Sequence, residues 1–304
     1  MHKIKFTITC ILFVILQNTI CMQAYSQNKE GNDPTGNPNT YKDYRLFSVS
    51  GAHPIYRDFA TSPLFYRGGG FNLGNARLSR SDDRERLFQL SMGISPMFAH
   101  VPESDFIQPG SVAFFGNLEF HFHQLWKLKS LSSEKNNFKL GGALRSSQHI
   151  RINPSLQNNA LGLENITNFM LASHIIRDIS RVEARPLDLW LFQTTLRPIK
   201  RDLKFHFNAG ILNFNYRPGY AYSYVSELEG LETNPLSWIL DNYRWSLNGW
   251  RFTTELEYIS YLPNGNAYSW AYVWDAAHAP GRYEAFQMAN HEIKFTYYFH
   301  IPKL

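Results

Sequence analysis

The sequence predicts an all-β protein, a closed antiparallel transmembrane β-barrel behind a cleavable signal peptide, and three observations carry that prediction. Segments of about 10 to 16 residues alternate apolar and polar side chains along much of the chain, the period of a strand with two different faces. After the leader, no apolar run reaches the roughly 18 residues that a membrane-spanning helix needs. Aromatic residues make up 15% of the chain and collect towards strand ends, as at Trp126, Trp250, Tyr258 and Tyr261. A soluble sandwich also alternates, but its strands run to about five or six residues. An exported chain with long apolar-faced strands and no spanning helix has one way into a bilayer. It must satisfy every backbone polar group between strands that close on themselves.

The leader reads first. "MHKIKFTITCILFVILQNTICMQAYSQ" carries a basic start at His2, Lys3 and Lys5, an apolar core from Phe6 to Leu16, and Ala24-Tyr25-Ser26 as a small-x-small site. Residues 1–26 are therefore a signal peptide cut before Gln27. Both cysteines, Cys10 and Cys21, lie within it, and the bulky Ile20 before Cys21 argues against lipoprotein processing. The mature chain then has neither a disulfide nor a thiolate metal site. Residues 27–42 are rich in Gly, Asn and Pro and form a flexible periplasmic lead-in, and the barrel occupies 43–304. A net charge of +5 without a Lys/Arg run points away from nucleic acid.

Ten strands are expected, near 43–51, 63–79, 86–98, 111–127, 137–152, 186–198, 203–216, 248–261, 267–276 and 286–300. In "RLFQLSMGIS", Phe88, Leu90, Met92 and Ile94 oppose Gln89, Ser91 and Gly93. In "SVAFFGNLEFHFHQLWKL", Leu118, Phe120, Phe122 and Trp126 oppose Asn117, Glu119, His121 and His123. Residues 161–180 place Ile166, Phe169, Met170, Ser173 and Ile176 on one helical face, so a helix within a loop is expected there. A partnered strand in its place would raise the count to twelve. "LKFHFNAGI" sets Phe205 and Phe207 against Lys204 and His206, and "WRFTTELEYISY" sets Phe252 and Leu256 against Arg251, Thr253, Glu255 and Glu257. Tyr268, Trp270, Tyr272 and Trp274 suit an interfacial girdle. The last strand, "HEIKFTYYFH", turns Ile293, Phe295, Tyr297 and Phe299 to lipid and Glu292, Lys294, Thr296 and His300 to the lumen. It should close the barrel against the first strand and be read by the outer-membrane assembly machinery. The "IPKL" that follows is an unusual extension. Links "SRSDDRE", "KSLSSEKNN", "IKRD" and "PNGN" are short, whereas 52–62, 99–110, 153–185, 217–247 and 277–285 are longer. That alternation places the short turns and both termini in the periplasm.

Three stretches, "SPLFYRGGG" (62–70), "INPSLQNNALGLE" (152–164) and "YRPGYAY" (216–222), together with the final strand, resemble uncharacterised outer-membrane β-barrel proteins of the Bacteroidota type. The resemblance spans roughly 60–300 and implies a barrel in the outer membrane. It implies no activity and carries no catalytic residues.

Parity assigns a polar lumen to Glu119, His121, His123, Lys139, Arg145, Arg151, Lys204, His206, Arg251, Glu255, Glu257, Glu292 and Lys294. A buried charge without a partner is costly, so these groups are expected to pair across strands, with Glu255, Glu257 and Glu292 meeting bases such as Arg251, Arg145 and Lys294. Such a network either closes the bore or lines an ion-selective pore. Glu119, His121 and His123 have the types and spacing of metal ligands, but a hydrogen-bonded lumen explains them as well, and no metal or cofactor is expected. Ser147 and His149 share a strand face, yet the face points inward, away from lipid. "RGGG" (67–70) lacks the Lys and Ser/Thr of a phosphate loop and reads as a bend or a close approach. The function expected is a non-enzymatic outer-membrane barrel of a Gram-negative cell: structural, pore-forming (porin-like) or partner-binding, in contact with outer-membrane lipid. The alternative is an outer-membrane hydrolase acting on lipid or peptide.

Overall fold

A computed structural model describes residues 41–99, 111–189, 192–196, 198–217, 243–280 and 284–302. The leader and nearly all of the lead-in lie outside these residues. The strands are β1 (Lys42–Asp58), β2 (Ser62–Gly68), β3 (Gly70–Arg80), β4 (Arg84–Ala99), β5 (Ser111–Lys127), β6 (Asn136–Ile152), β7 (Leu161–Asp178), β8 (Arg185–Leu189), β9 (Phe192–Leu196), β10 (Arg201–Tyr216), β11 (Tyr243–Ser246), β12 (Trp250–Tyr261), β13 (Ala267–Ala279) and β14 (Phe286–Ile301). Among the described residues no helix is long and apolar enough to cross a membrane.

All pairing is antiparallel. β2 and β3 behave as one wall strand between β1 and β4, and β11 continues the edge that β12 makes with β10. β14 pairs along β1 from Asp43–Ile301 to Asp58–Phe286 and closes a barrel of ten strands. Closure leaves no edge with unpaired backbone groups. β8 and β9 pair only with each other, outside the wall.

Alternation then sorts the side chains. Each of the ten wall strands leaves at least one large apolar side chain exposed on the outside, among them Phe47, Phe71, Met92, Phe114, Leu171, Leu256 and Ile293. Charged groups are buried inside. This inverts a soluble core: exposed apolar area in water costs about 25 cal/mol per Å², and a continuous apolar band is stable only against lipid. β4 to β7 run 16 to 18 residues, more than the 9–11 or so that crossing takes, so their ends project beyond the band. Inside, one aromatic cluster packs Tyr56, Tyr66, Phe115 and Phe286 near the end where β1 stops, and another packs Tyr44, Leu78, Ile259 and Tyr298 near the end where it starts.

The count of ten agrees with expectation, but not every strand does. Residues 161–178 are β7, in register with β6 from Asn136–Arg177 to Ile152–Leu161 and with β10 on the other side. The expected helix is absent. Its signal came from mixed faces: Ile166 and Met170 point inward and are buried, while Asn165, Thr167 and Ser173 point outward. The outward polar groups satisfy one another, with Asn165 donating to Ser146 (3.1 Å) and Ser146 and Thr167 2.8 Å apart. The barrel strand expected at 186–198 is instead the β8–β9 hairpin, so the link at 179–200 is long where "IKRD" promised a short one. β1 runs on to Asp58, and its link to β2 is 59–61 rather than 52–62. Pro54, with no N–H to give, sits where the ladder to β3 stops at Ala52–Gly70 and the ladder to β2 resumes at Ile55–Arg67. The glycines of "RGGG" permit a close approach there: a Cβ on Gly68 would stand 1.9 Å from the Pro96 carbonyl oxygen. The turn at 262–266 closes with Leu262 N–H to Asn266 O (2.8 Å) and Gly265 at φ 85°.

Candidate functional site

The lumen is the part of the molecule with chemistry in it. Ladder order puts β5 and β13 on opposite walls. Glu119 stands on one and Asp275 on the other, and two arginines bridge them. Arg251, fully buried, donates from Nη2 to Glu119 Oε2 (2.8 Å) and to Asp275 Oδ2 (2.6 Å), from Nε to Asp275 Oδ1 (3.0 Å) and from Nη1 to Ser147 Oγ (2.8 Å). Arg145 Nη2 lies 2.6 Å from Glu119 Oε1 and 3.6 Å from Asp275 Oδ2, and its Nη1 donates to Thr253 (2.8 Å). Two guanidinium and two carboxylate groups thus form a neutral quartet across the bore, with the fork-to-oxygen geometry that makes buried pairs tolerable.

A second cluster lies towards the end of β1. Arg151 Nη2 stands 2.5 Å from Asp58 Oδ2 and also contacts Glu164. Arg217 Nη2 donates to Asp58 Oδ1 (2.9 Å) and Nη1 to the carbonyls of Ala279 (3.1 Å) and Glu284. Arg151 is also held over the rings of Tyr56 and Phe286, at 5.3 and 5.2 Å.

The third cluster is centred on Glu85, fully buried on β4. Its Oε2 accepts from Arg80 Nε (2.8 Å) and lies 4.0 Å from Lys139 Nζ. Its Oε1 faces His174 Nδ1 (3.0 Å), His123 Nε2 (3.5 Å) and Lys204 Nζ (3.6 Å). Glu257 accepts from Ser269 (2.6 Å) and Tyr298, with Lys204 at 3.7 Å. Beside the quartet, bordered by Glu119, Arg145 and Asp275 together with Asn72, Glu292 and Lys294, lies a cavity of about 70 Å³, room for only a few waters. Outside the wall, in the turn between β3 and β4, the Lys127 ammonium 2.6 Å from Asp82 holds that carboxyl below its ordinary range.

Every sequence-predicted lumen residue lies on an inward position, but the partners differ from those expected. Arg251 and Arg145 meet Glu119 and Asp275, not Glu255, Glu257 or Glu292. Lys294 does meet Glu255, at 2.8 Å. Glu292 is held by the neutral donors Ser50, Asn72 and Asn290 at 2.6 to 3.0 Å. Glu119 turns to the arginines, and among the described residues His123 groups with His174 and His206 instead. Ser147 is engaged by Glu119 and Arg251, and His149 packs against the rings of Phe115 and Phe286 (4.9 and 5.7 Å) instead of against the serine. Asp58, Arg80, Glu85, Glu164, His174, Arg217 and Asp275 are absent from the sequence-derived set. Parity with Gln89 and Ser91 could have found Glu85, and the helical misreading of β7 hid His174.

The charged interior, apolar exterior and closed ladder together define a transmembrane β-barrel. No family model matches the chain, and no curated protein does. Among solved structures it is similar to the translocator domain of the autotransporter NalP from Neisseria meningitidis, with a TM-score of 0.35 and 8% identity over 96% of each chain. It is similar to an outer membrane channel from Pseudomonas putida F1, with a TM-score of 0.32 and 6% identity over 88% of this chain and 100% of that one. It is also similar to Ail, the attachment invasion locus protein of Yersinia pestis, with a TM-score of 0.29 and 7% identity over 85% and 99%. Likenesses at this level carry no argument. The assignment rests on this chain's own pairing and faces.

Proposed function

We propose that the protein is an outer-membrane β-barrel of a Gram-negative cell whose interior is locked by ion pairs, and that it serves a structural or partner-binding role rather than as a diffusion pore. The observation that supports this reading is the quartet of Arg145, Arg251, Glu119 and Asp275, which reaches from one wall to the opposite one. An ion crossing that layer would have to separate guanidinium from carboxylate in a poorly hydrated bore, where one pair broken costs about 3–5 kcal/mol. Lipid contact follows from the apolar band. The test is conductance in planar bilayers. The wild-type barrel is expected to show no sustained open state, and Arg145→Ala with Arg251→Ala to leak. A wild type that conducts steadily at low voltage and admits small solutes into liposomes would replace this reading with the pore-forming one.

A further inference from the structure

Beyond that reading, we propose that the lumen holds a transition-metal site formed by His123, His174 and His206, with Glu85 as the fourth ligand. The three imidazoles come from β5, β7 and β10 and are all buried, and one nitrogen from each lies within 4.8 Å of the other two. A tetrahedral Zn²⁺ site with metal–nitrogen bonds near 2.1 Å holds its nitrogens about 3.4 Å apart. Small side-chain rotations therefore complete the set. The His174 and His206 ring centroids are already 3.8 Å apart, and those of His123 and His174 4.9 Å.

The hydrogen bonding points to a missing ligand. The ring nitrogens of His123 and His174 and Oε1 of Glu85 make no well-directed hydrogen bond, although Glu85 Oε1 stands 3.0 Å from His174 Nδ1 and 3.5 Å from His123 Nε2. Buried polar groups are nearly always satisfied, and here the unsatisfied atoms converge on one another. His206 is oriented differently. Its Nε2 lies 2.6 Å from Asn208 Oδ1, so an N–H there leaves Nδ1 with a free lone pair. That is the arrangement by which an outer-shell acceptor fixes the tautomer of a metal-bound histidine. Glu85 divides its oxygens in the same sense: Oε2 is taken by Arg80 at 2.8 Å, and Oε1 faces the rings.

Three neutral imidazoles and one carboxylate suit Zn²⁺, Ni²⁺ or Cu²⁺ rather than Ca²⁺ or Mg²⁺, which favour all-oxygen shells. Lys204, 3.6 Å from Glu85 Oε1, opposes a dication. At the end where the chain termini lie, an open cavity of about 320 Å³ is bordered by Asp82, Glu134, Asp178 and Asp202 with Lys127 and Lys135. Asp178 and Asp202 lie on the same strands as His174 and His206, each two inward positions towards the mouth.

The experiment uses the full barrel in detergent, free of any histidine tag and stripped with chelator. Titrate Co²⁺, follow its visible absorption, and compete with Zn²⁺. One equivalent should bind with the d–d bands of a four-coordinate site, Zn²⁺ should displace it, and Zn²⁺ should raise the unfolding temperature of the wild type. His174→Ala and His206→Ala should each weaken binding at least tenfold, and Asn208→Ala by about 10-fold or more. Lys204→Met should tighten it. His149→Ala, which removes a buried histidine outside the cluster, should leave it unchanged. Folding of each variant is checked by its gel mobility with and without boiling. The absence of saturable Co²⁺ or Zn²⁺ binding and of any Zn²⁺ effect on wild-type unfolding overturns the proposal, as does binding that survives in folded His174→Ala. The wild-type measurements need no variant to fold, and none of these outcomes depends on conductance.

Discussion

Arg251 is the residue on which the quartet converges. Its three donor nitrogens serve Glu119, Asp275 and Ser147, and no water-filled route is needed to explain its burial. Arg251→Met fills a similar volume but strands part of two carboxylates. The expected loss is about 3–5 kcal/mol, measured by urea unfolding in detergent with tryptophan fluorescence as the signal. Adding Asp275→Asn to that variant should recover part of the loss, because one of the stranded charges is gone. A variant as stable as wild type would mean that the quartet contributes nothing to the fold. Glu257→Gln should be milder, since Ser269 and Tyr298 surround Glu257 with hydroxyls that a neutral amide still accepts from. At this scale parity was legible in the sequence, but of the expected partnerships only that of Lys294 with Glu255 formed. Glu119 and Arg251 are 132 positions apart, and only strand order around the wall brings them together.

At the scale of elements, the sharpest contrast is between β7 and the β8–β9 hairpin. β7 reads as a helix because some of its inward side chains are apolar and some of its outward ones polar, which erases a period of two. The hairpin reads as a wall strand, yet it makes no ladder with the wall. Arg181 and Ile199 pair at its base with bonds of 3.0 and 3.1 Å. Replacing 182–198 by Asn-Gly, the two-residue turn that suits a tight hairpin, should therefore leave the heat-dependent gel shift of the folded barrel intact. Gly141→Val should not be tolerated: a Cβ there would stand 2.0 Å from the Gln124 carbonyl oxygen and 2.9 Å from the Leu125 Cα. Overpacking of this kind costs about 1–3 kcal/mol, and the clash falls on the β5–β6 ladder itself. If the shortened chain fails to fold while Gly141→Val folds normally, the division between wall and appendage is wrong.

For the whole molecule, the ladder fixes which links share an end. Links 81–83, 128–135, 179–200 and 262–266 lie with the chain termini, and 59–61, 153–160 and 280–285 lie at the other end. The apolar band does not say which end faces the periplasm. The proposed orientation puts the termini there, following the rule that both ends of a bacterial barrel chain lie inside. Because Cys10 and Cys21 are the chain's two cysteines, a mature chain cut before Gln27 has a thiol-free background. Ser155→Cys should react with an impermeant maleimide on intact cells, and Glu134→Cys only after permeabilisation. The opposite pattern inverts the barrel. What the sequence by itself determined is the class: strands whose two faces want different solvents, with many large apolar side chains out and charges in, because alternation is a local property of neighbouring residues. It also determined that Glu119, His121, His123, Arg145, Lys204 and Arg251 point inward, since a parity error would flip a whole strand. Only the tertiary structure decided that Glu85 meets His174 and that Glu119 meets Arg251. Those contacts cross the bore between strands far apart in the chain. They depend on register and closure, which no stretch of ten residues encodes.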